Sequence, residues 1–126
     1  MIAVAQAHAG RFDPAIQEAK KLNEDRLDGE AFAGIAAAYA LPGKMAEARV
    51  MLAEAFRRVA GYEDLASRSW GDQSVAWHAA EAGLSEQIVE PINKFSSPLE
   101  RAAARTGAGM GLLERARRQK LHGKEP

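Results

Sequence analysis

The sequence predicts an all-α protein, and three observations carry that prediction. Alanine supplies 27 of the 126 residues, whereas valine and isoleucine supply five each. Alanine is the strongest helix former and β-branched residues favour strands, so a sheet-based fold is disfavoured. Apolar residues recur at helical spacing, and similar segments return at intervals of 33 and 40 residues. Such intervals are typical of arrays in which each helical hairpin buries its apolar side against the next one.

Two helices are indicated by apolar residues spaced alternately three and one apart. The first helix is stopped by Pro42-Gly43, and the second ends at Gly61, which we expect in a left-handed conformation. The first face consists of Ala31, Phe32, Ile35, Ala36 and Tyr39. The second consists of Ala48, Met51, Leu52, Ala55, Phe56 and Val59.

Two further helices are indicated by their start signals. Asp13-Pro14 is read as an N-cap followed by proline at the first helical position. The sequence from Ser97 to Glu100 is a capping box with Pro98 at its first helical position. The apolar stripe after the first signal is Ala15, Ile16, Ala19 and Leu22. The stripe after the second is Leu99, Ala103, Thr106, Met110 and Leu113.

The repeated unit is a helix, a glycine turn and a second helix. Residues 2–11 match residues 35–44 at an offset of 33, and residues 75–83 match again 40 positions later. Gly34-Ile35 maps onto Gly107-Ala108 at an offset of 73. Met1 then falls in the middle of a unit, so we expect either a shortened capping helix or an edge covered by another chain.

At these residues the chain resembles tetratricopeptide-type helical repeats. It is most similar to an alanine-rich bacterial variant, in which Ile-Ala-x-Ala-x-Ala-x-Ala-Gly leads into a helix with paired alanines. The resemblance implies a right-handed superhelix of about three α-α hairpins. It also implies a concave face that binds a peptide or protein segment.

Composition restricts the class of protein. The length suits a single domain, which we place at residues 1–126. The chain has no cysteine, which excludes disulfides, thiolate zinc sites and a cysteine nucleophile. No apolar run is long enough to span a membrane, and the first ten residues do not resemble a signal peptide. We therefore expect a soluble, cytoplasmic protein.

Charge is unevenly distributed along the chain. Residues 101–126 hold seven Lys or Arg and two Glu, a balance of +5, so the neutral chain carries −5 in residues 1–100. We assign residues 119–126 as a basic C-terminal tail. One interpretation is that this tail attracts an anionic partner or a second copy of the chain. The other is that it only places cations at the C-terminal end of a solvated helix, where the helix dipole favours them.

The candidate partner-binding residues centre on Trp70, Trp77 and His78. The two tryptophans are seven residues apart and therefore share a helix face, with Glu81 within reach of His78. One interpretation is a groove that holds an apolar or aromatic anchor. The alternative is a tryptophan pair in the core with a surface histidine. A catalytic His78-Glu81 pair has no accompanying nucleophile or oxyanion motif.

Arg68 and Arg101 occupy matching places, each seven residues before an aligned apolar position. In the repeats that the chain resembles, this place is often arginine. The two guanidinium groups either clamp a partner's carboxylate or pair with acids in the loops between repeats, with Glu63 and Asp64 as candidates for Arg68.

Two glycine-containing motifs have weaker interpretations. Residues 79–89 carry helix-turn-helix spacing (Ala79, Gly83 and Val89), but the following helix presents glutamates where phosphates would lie. The glycines at 107, 109 and 111 lack the spacing of a dinucleotide loop. They either break the last helix or mark a place where another helix packs on its backbone.

We therefore expect a non-catalytic scaffold that binds protein or peptide and needs no metal or cofactor. Its predicted binding residues are Arg68, Trp70, Trp77, His78 and Arg101. The alternative is nucleic-acid binding through residues 79–89 and the basic tail, which we disfavour. Self-association into a homo-oligomer, through the incomplete first unit and the final helix, is a third hypothesis.

Overall fold

The fold was obtained as a computed structural model, which describes residues 1–123. These residues form seven α-helices and no strand, which confirms the all-α class. The helices are α1 (Ile2–His8), α2 (Phe12–Lys20), α3 (Asp28–Ala40), α4 (Met45–Ala60), α5 (Leu65–Glu81), α6 (Ser85–Asn93) and α7 (Pro98–His122). None of the helices in this part of the chain has the length and apolarity needed to cross a lipid bilayer.

The odd-numbered helices contact one another in chain order. α1 packs on α3, α3 on α5 and α5 on α7. Helices that are consecutive in the chain are also in contact, from α1 with α2 to α6 with α7. α3 is buried on nearly all sides, with Phe32 and Ile35 at 1% and 0% exposure. Alanine is the commonest buried residue, so neighbouring helix axes approach closely.

Three glycines adopt the same turn at matching places of the repeat. Gly10, Gly43 and Gly83 have φ values of 81°, 82° and 85°, which only glycine adopts without strain. The residue after each glycine donates its N–H to a carbonyl five positions earlier, at 2.8–3.0 Å. The sequence offsets of 33 and 40 therefore correspond to equivalent backbone positions.

The difference between the two offsets is spread over the second unit. α4 has 16 residues, seven more than α2, and α5 has 17 residues, four more than α3. The connection is shorter in this unit, because residues 61–64 join α4 to α5 whereas residues 21–27 join α2 to α3. Two extra helical turns keep the buried face in phase, because seven residues are close to two turns of 3.6.

Three details of the predicted helix ends are wrong. α2 begins at Phe12 with Arg11 as its N-cap, so Asp13 lies in the first turn rather than at the cap. Pro14 is the third helical residue rather than the first. It is tolerated there because the first backbone N–H groups of a helix have no intrahelical acceptor. Gly61 is not left-handed, since it has a φ of −82° and continues the right-handed path.

The start of α7 is confirmed. Its N-cap is Ser97, whose Oγ accepts the N–H of Glu100 at 3.3 Å, and Pro98 is the first helical residue. α7 is continuous to His122, so the glycines at 107, 109 and 111 do not break it. Residues 119–122 of the predicted basic tail are helical, and residues 124–126 lie outside the described residues.

The predicted apolar stripe of α7 is the wrong face. Leu99, Thr106, Met110 and Leu113 are exposed, and the buried positions are Ala104, Gly107 and Gly111. A Cβ at Gly107 would overlap the carbonyl oxygen of Gln73 in α5, and a Cβ at Gly111 would overlap that of Trp77. The helices meet backbone to backbone, so the residues with the smallest side chains form the contact.

Candidate binding groove

The predicted residues on α5 lie on one side of the helix. The helix begins after Asp64, whose Oδ1 accepts the N–H of Ser67 at 2.7 Å. Trp70 is 72% exposed and Trp77 is 36% exposed. The alternative of a core tryptophan pair is therefore wrong for Trp70. Large exposed aromatic side chains on one helix face are typical of contact surfaces.

A cavity of about 280 Å³ lies beside the two indoles. Its walls are Trp70, Gln73, Ser74, Trp77, His78 and Glu81 of α5, together with Glu30 of α3. The structure thus brings three of the five predicted binding residues to one place. Glu30 was missed from the sequence, although it corresponds to Trp70 at the 40-residue offset.

His78 is paired with Glu30 rather than with Glu81. Its Nε2 lies 3.1 Å from Oε1 of Glu30, across the contact between α5 and α3. Glu81 is directed to α7 instead, where its Oε1 lies 2.5 Å from a guanidinium nitrogen of Arg118. The hydrogen bond from His78 lowers the pKa of Glu30, against the opposing effect of burial. Glu30 is therefore ionised at neutral pH.

Two further depressions extend the cavity along the odd-numbered helices. One, of about 410 Å³, adds Val4 and His8 of α1, and the other, of about 510 Å³, adds residues of α7. His78 lines all three depressions. The three depressions form one surface along α1, α3, α5 and α7, which we call the A-face groove. Its end at α7 carries Arg115 and Arg118.

All three histidines of the chain line the largest of these depressions. His8, His78 and His122 are far apart in the sequence. The repeat offsets contain a usable clue, because His8, Leu41 and Glu81 occupy equivalent positions and all three line this depression. Equivalent residues of stacked helices lie side by side.

The two predicted arginines lie outside the cavity walls. Arg68 donates to the carbonyls of Tyr62 and Glu63 at 2.8 and 2.9 Å, and its Nε lies 2.7 Å from Oε1 of Glu100. Its carboxylate partner is therefore Glu100 rather than Glu63 or Asp64. Arg101 donates to the carbonyl of Phe95 in the equivalent loop. Each arginine fixes the loop that precedes its own helix.

Asp72 lies one turn beyond Arg68 on α5 and is 3% exposed. Burial, reinforced by the nearby carboxylate of Glu100 and opposed by Arg68, raises the pKa of Asp72 to about 7. A carboxyl whose pKa is higher in the folded state binds its proton more tightly there than in the unfolded chain. Its contribution to stability is therefore present at low pH and is lost as the pH rises from about 4 to about 7.

We expect Asp72→Asn to remove this dependence. Relative to the wild type, the variant should gain at least about 1 kcal/mol of stability between pH 5 and pH 8, since one pKa unit corresponds to about 1.4 kcal/mol. Urea unfolding of both proteins at the two pH values measures the difference. Equal slopes of stability against pH would show that Asp72 is ionised in the folded protein at pH 5.

Residues 79–89 have the expected helix, glycine turn and helix, but the docking residue differs. Val89 is 56% exposed, whereas Ile88 and Ile92 are buried. On the exposed side Lys94 pairs with Glu90 at 2.9 Å. Nucleic-acid binding by this element stays a prediction, which duplex titration at low salt tests.

In residues 1–123, no group of three or more His, Cys, Asp or Glu side chains is arranged to hold a metal ion.

The A-face groove is therefore the candidate binding surface of the described residues. It joins side chains from α1, α3, α5 and α7 around His78, with indoles at one end and arginines at the other. No family model, curated protein or solved structure matches the chain.

Proposed function

We propose that the chain is a helical-repeat scaffold, built like tetratricopeptide repeats from about three hairpins, that binds a protein or peptide segment and catalyses no reaction. The observation that carries the proposal is the A-face groove with its exposed Trp70. A largely exposed indole contributes little to the stability of the fold. When a partner covers it, the burial of the indole contributes considerably to the free energy of binding.

The repeated turns support the architectural part of the proposal. Gly10, Gly43 and Gly83 give each unit the same exit from its first helix. Contacts in the order α1, α3, α5 and α7 form one continuous wall from the first helices of successive units. In such an arrangement an extended segment can cross several helices at once.

The proposed function predicts that Trp70 dominates partner binding. Peptides selected from a random 12-residue library on the full chain should bind Trp70→Ala at least tenfold more weakly than the wild type, about 1.4 kcal/mol. Titration calorimetry with the selected peptides measures the affinities. Because Trp70 is mostly exposed, the variant should unfold at the same urea concentration as the wild type.

A matched control is Leu113→Ala, since Leu113 is 74% exposed and lies on another face of the protein, in α7. This variant should bind the selected peptides with unchanged affinity. Selected peptides that bind Trp70→Ala as tightly as the wild type would contradict the proposal. Self-association stays a separate prediction, which light scattering at increasing protein concentration tests.

A further inference from the structure

The walls of the 280 Å³ cavity combine two indoles with two carboxylates. Trp70 and Trp77 lie two turns apart on α5, Glu30 of α3 and Glu81 of α5 supply the carboxylates, and Gln73, Ser74 and His78 complete the lining. No lysine or arginine is among the described residues that line it. Indole faces attract cations more strongly than other aromatic rings do.

The two carboxylates are held in place by neighbours outside or at the edge of the cavity. The closest contact of Glu30 joins its Oε1 to His78 at 3.1 Å, and that of Glu81 joins its Oε1 to Arg118 at 2.5 Å. A carboxylate accepts hydrogen bonds on both oxygens. The Oε2 atoms of the two glutamates are not part of these closest contacts.

These groups discriminate between ligand chemistries. An apolar anchor would cover the two carboxylates without supplying hydrogen bonds, which is unfavourable for buried charge. An anionic anchor would be repelled. A guanidinium or ammonium group satisfies both kinds of wall at once, since its charge faces the indoles and its N–H groups donate to the glutamates.

We propose, on the basis of the function proposed above, that this cavity receives an arginine or lysine side chain of a peptide partner. The residue that enters is then cationic rather than the apolar or aromatic anchor considered from the sequence. Arg118, at the α7 end of the A-face groove, is not among the residues that line this cavity, but it contacts Glu81 at 2.5 Å and so holds that carboxylate in position.

The chain provides its own reporter for a test, because its only two tryptophans both line the cavity. The probes are blocked peptides Ala-Ala-X-Ala-Ala, acetylated and amidated, in which X is Arg, Lys, norleucine, Phe or Glu. Each is titrated into the 126-residue chain while tryptophan emission is recorded. We expect saturable changes with X = Arg and Lys, at affinities at least tenfold higher than with norleucine, Phe or Glu.

Two variants and a titration at high salt distinguish a cation-binding site from nonspecific binding. Glu30→Gln and Glu81→Gln should each weaken the Arg peptide at least fivefold, and 0.5 M NaCl should weaken it further. The matched control is Glu90→Gln, because Glu90 is exposed on α6 and outside the cavity. This control should leave the affinity unchanged.

The failure of this inference differs from the failure of the proposed function. Tighter binding of norleucine or Phe peptides than of Arg peptides would overturn the cationic preference while leaving a peptide-binding groove. No saturable emission change with Arg or Lys up to 10 mM peptide would also overturn it. The library selection, which does not presuppose any anchor, would still decide whether Trp70 binds a partner.

Discussion

Replacing Gly107 with alanine is expected to destabilise the protein by about 2–3 kcal/mol. The new Cβ would overlap the carbonyl oxygen of Gln73 and lie 2.9 Å from its carbonyl carbon. Both atoms belong to the backbone of α5, so no side-chain rotation relieves the overlap, and the two helices must separate. The gain in helix propensity of about 1 kcal/mol offsets only part of this loss.

Gly109→Ala is the matched control, two residues away in the same helix. A Cβ at Gly109 meets nothing within 4 Å, so only the helix propensity changes. This variant should therefore be more stable than the wild type by up to about 1 kcal/mol. Chemical denaturation followed by circular dichroism measures both variants, and the two shifts should have opposite signs.

The contact between α5 and α7 is the most extensive between any two helices of the described chain. Moving these helices apart should also alter the A-face groove, to which both contribute. If Gly107→Ala unfolds at the same denaturant concentration as the wild type, the close approach of α7 to Gln73 is wrong.

The α7 glycines also show how far the sequence could predict the structure. Of the two alternatives open from the sequence, repeat alignment favours the one in which a helix packs on this backbone, because Gly34 and Gly107 fall at matching positions. Apolar periodicity failed, since it ranks Leu113 and Met110 above glycine as core residues. The buried face of α7 depends on how closely the backbone of α5 approaches it. The hydropathy of the sequence gives no information on that distance.

The candidate site could also be predicted from the sequence only in part. Seven-residue spacing placed Trp70 and Trp77 on one face, and this is confirmed. The partner of His78 was missed because Glu30 is 48 positions away and belongs to a different helix. Arg68 and Arg101 were recognised as equivalent, but the backbone carbonyls that they bind carry no sequence pattern.

A buried polar cluster between α3 and the end of α4 was not predicted at all. Asp28 is 0% exposed, and its Oδ1 accepts the hydroxyl of Tyr62 at 2.7 Å. The same hydroxyl oxygen accepts the N–H of Gly29 at 3.2 Å. A guanidinium nitrogen of Arg58 lies 3.6 Å from Oδ2 of Asp28. The cluster gives the N-terminal end of α3 a partner that its own sequence does not supply.

The Tyr62 hydroxyl contacts both a buried side chain, the Asp28 carboxylate, and a buried backbone group, the Gly29 N–H. Burial, together with the hydrogen bond to Asp28, raises the pKa of the Tyr62 hydroxyl, so it keeps its proton and donates at every ordinary pH. Its ring lies close to Gly29 and Gly71, where an added Cβ would come within 3.2 Å of the tyrosine side chain. The ring packs tightly, so a phenylalanine fits the same space without the hydroxyl.

Tyr62→Phe should therefore destabilise the protein by about 2–4 kcal/mol, because it leaves Oδ1 of Asp28 and the Gly29 N–H without their partner, at about 1–3 kcal/mol for each buried group. The matched control is Tyr39→Phe, since the Tyr39 ring stacks on Phe12 at 3.8 Å and keeps that contact without its hydroxyl. The control should change stability by less than about 0.5 kcal/mol. Urea unfolding at pH 7 compares the two, and equal losses would mean that the Tyr62 hydroxyl is hydrated rather than bound to Asp28.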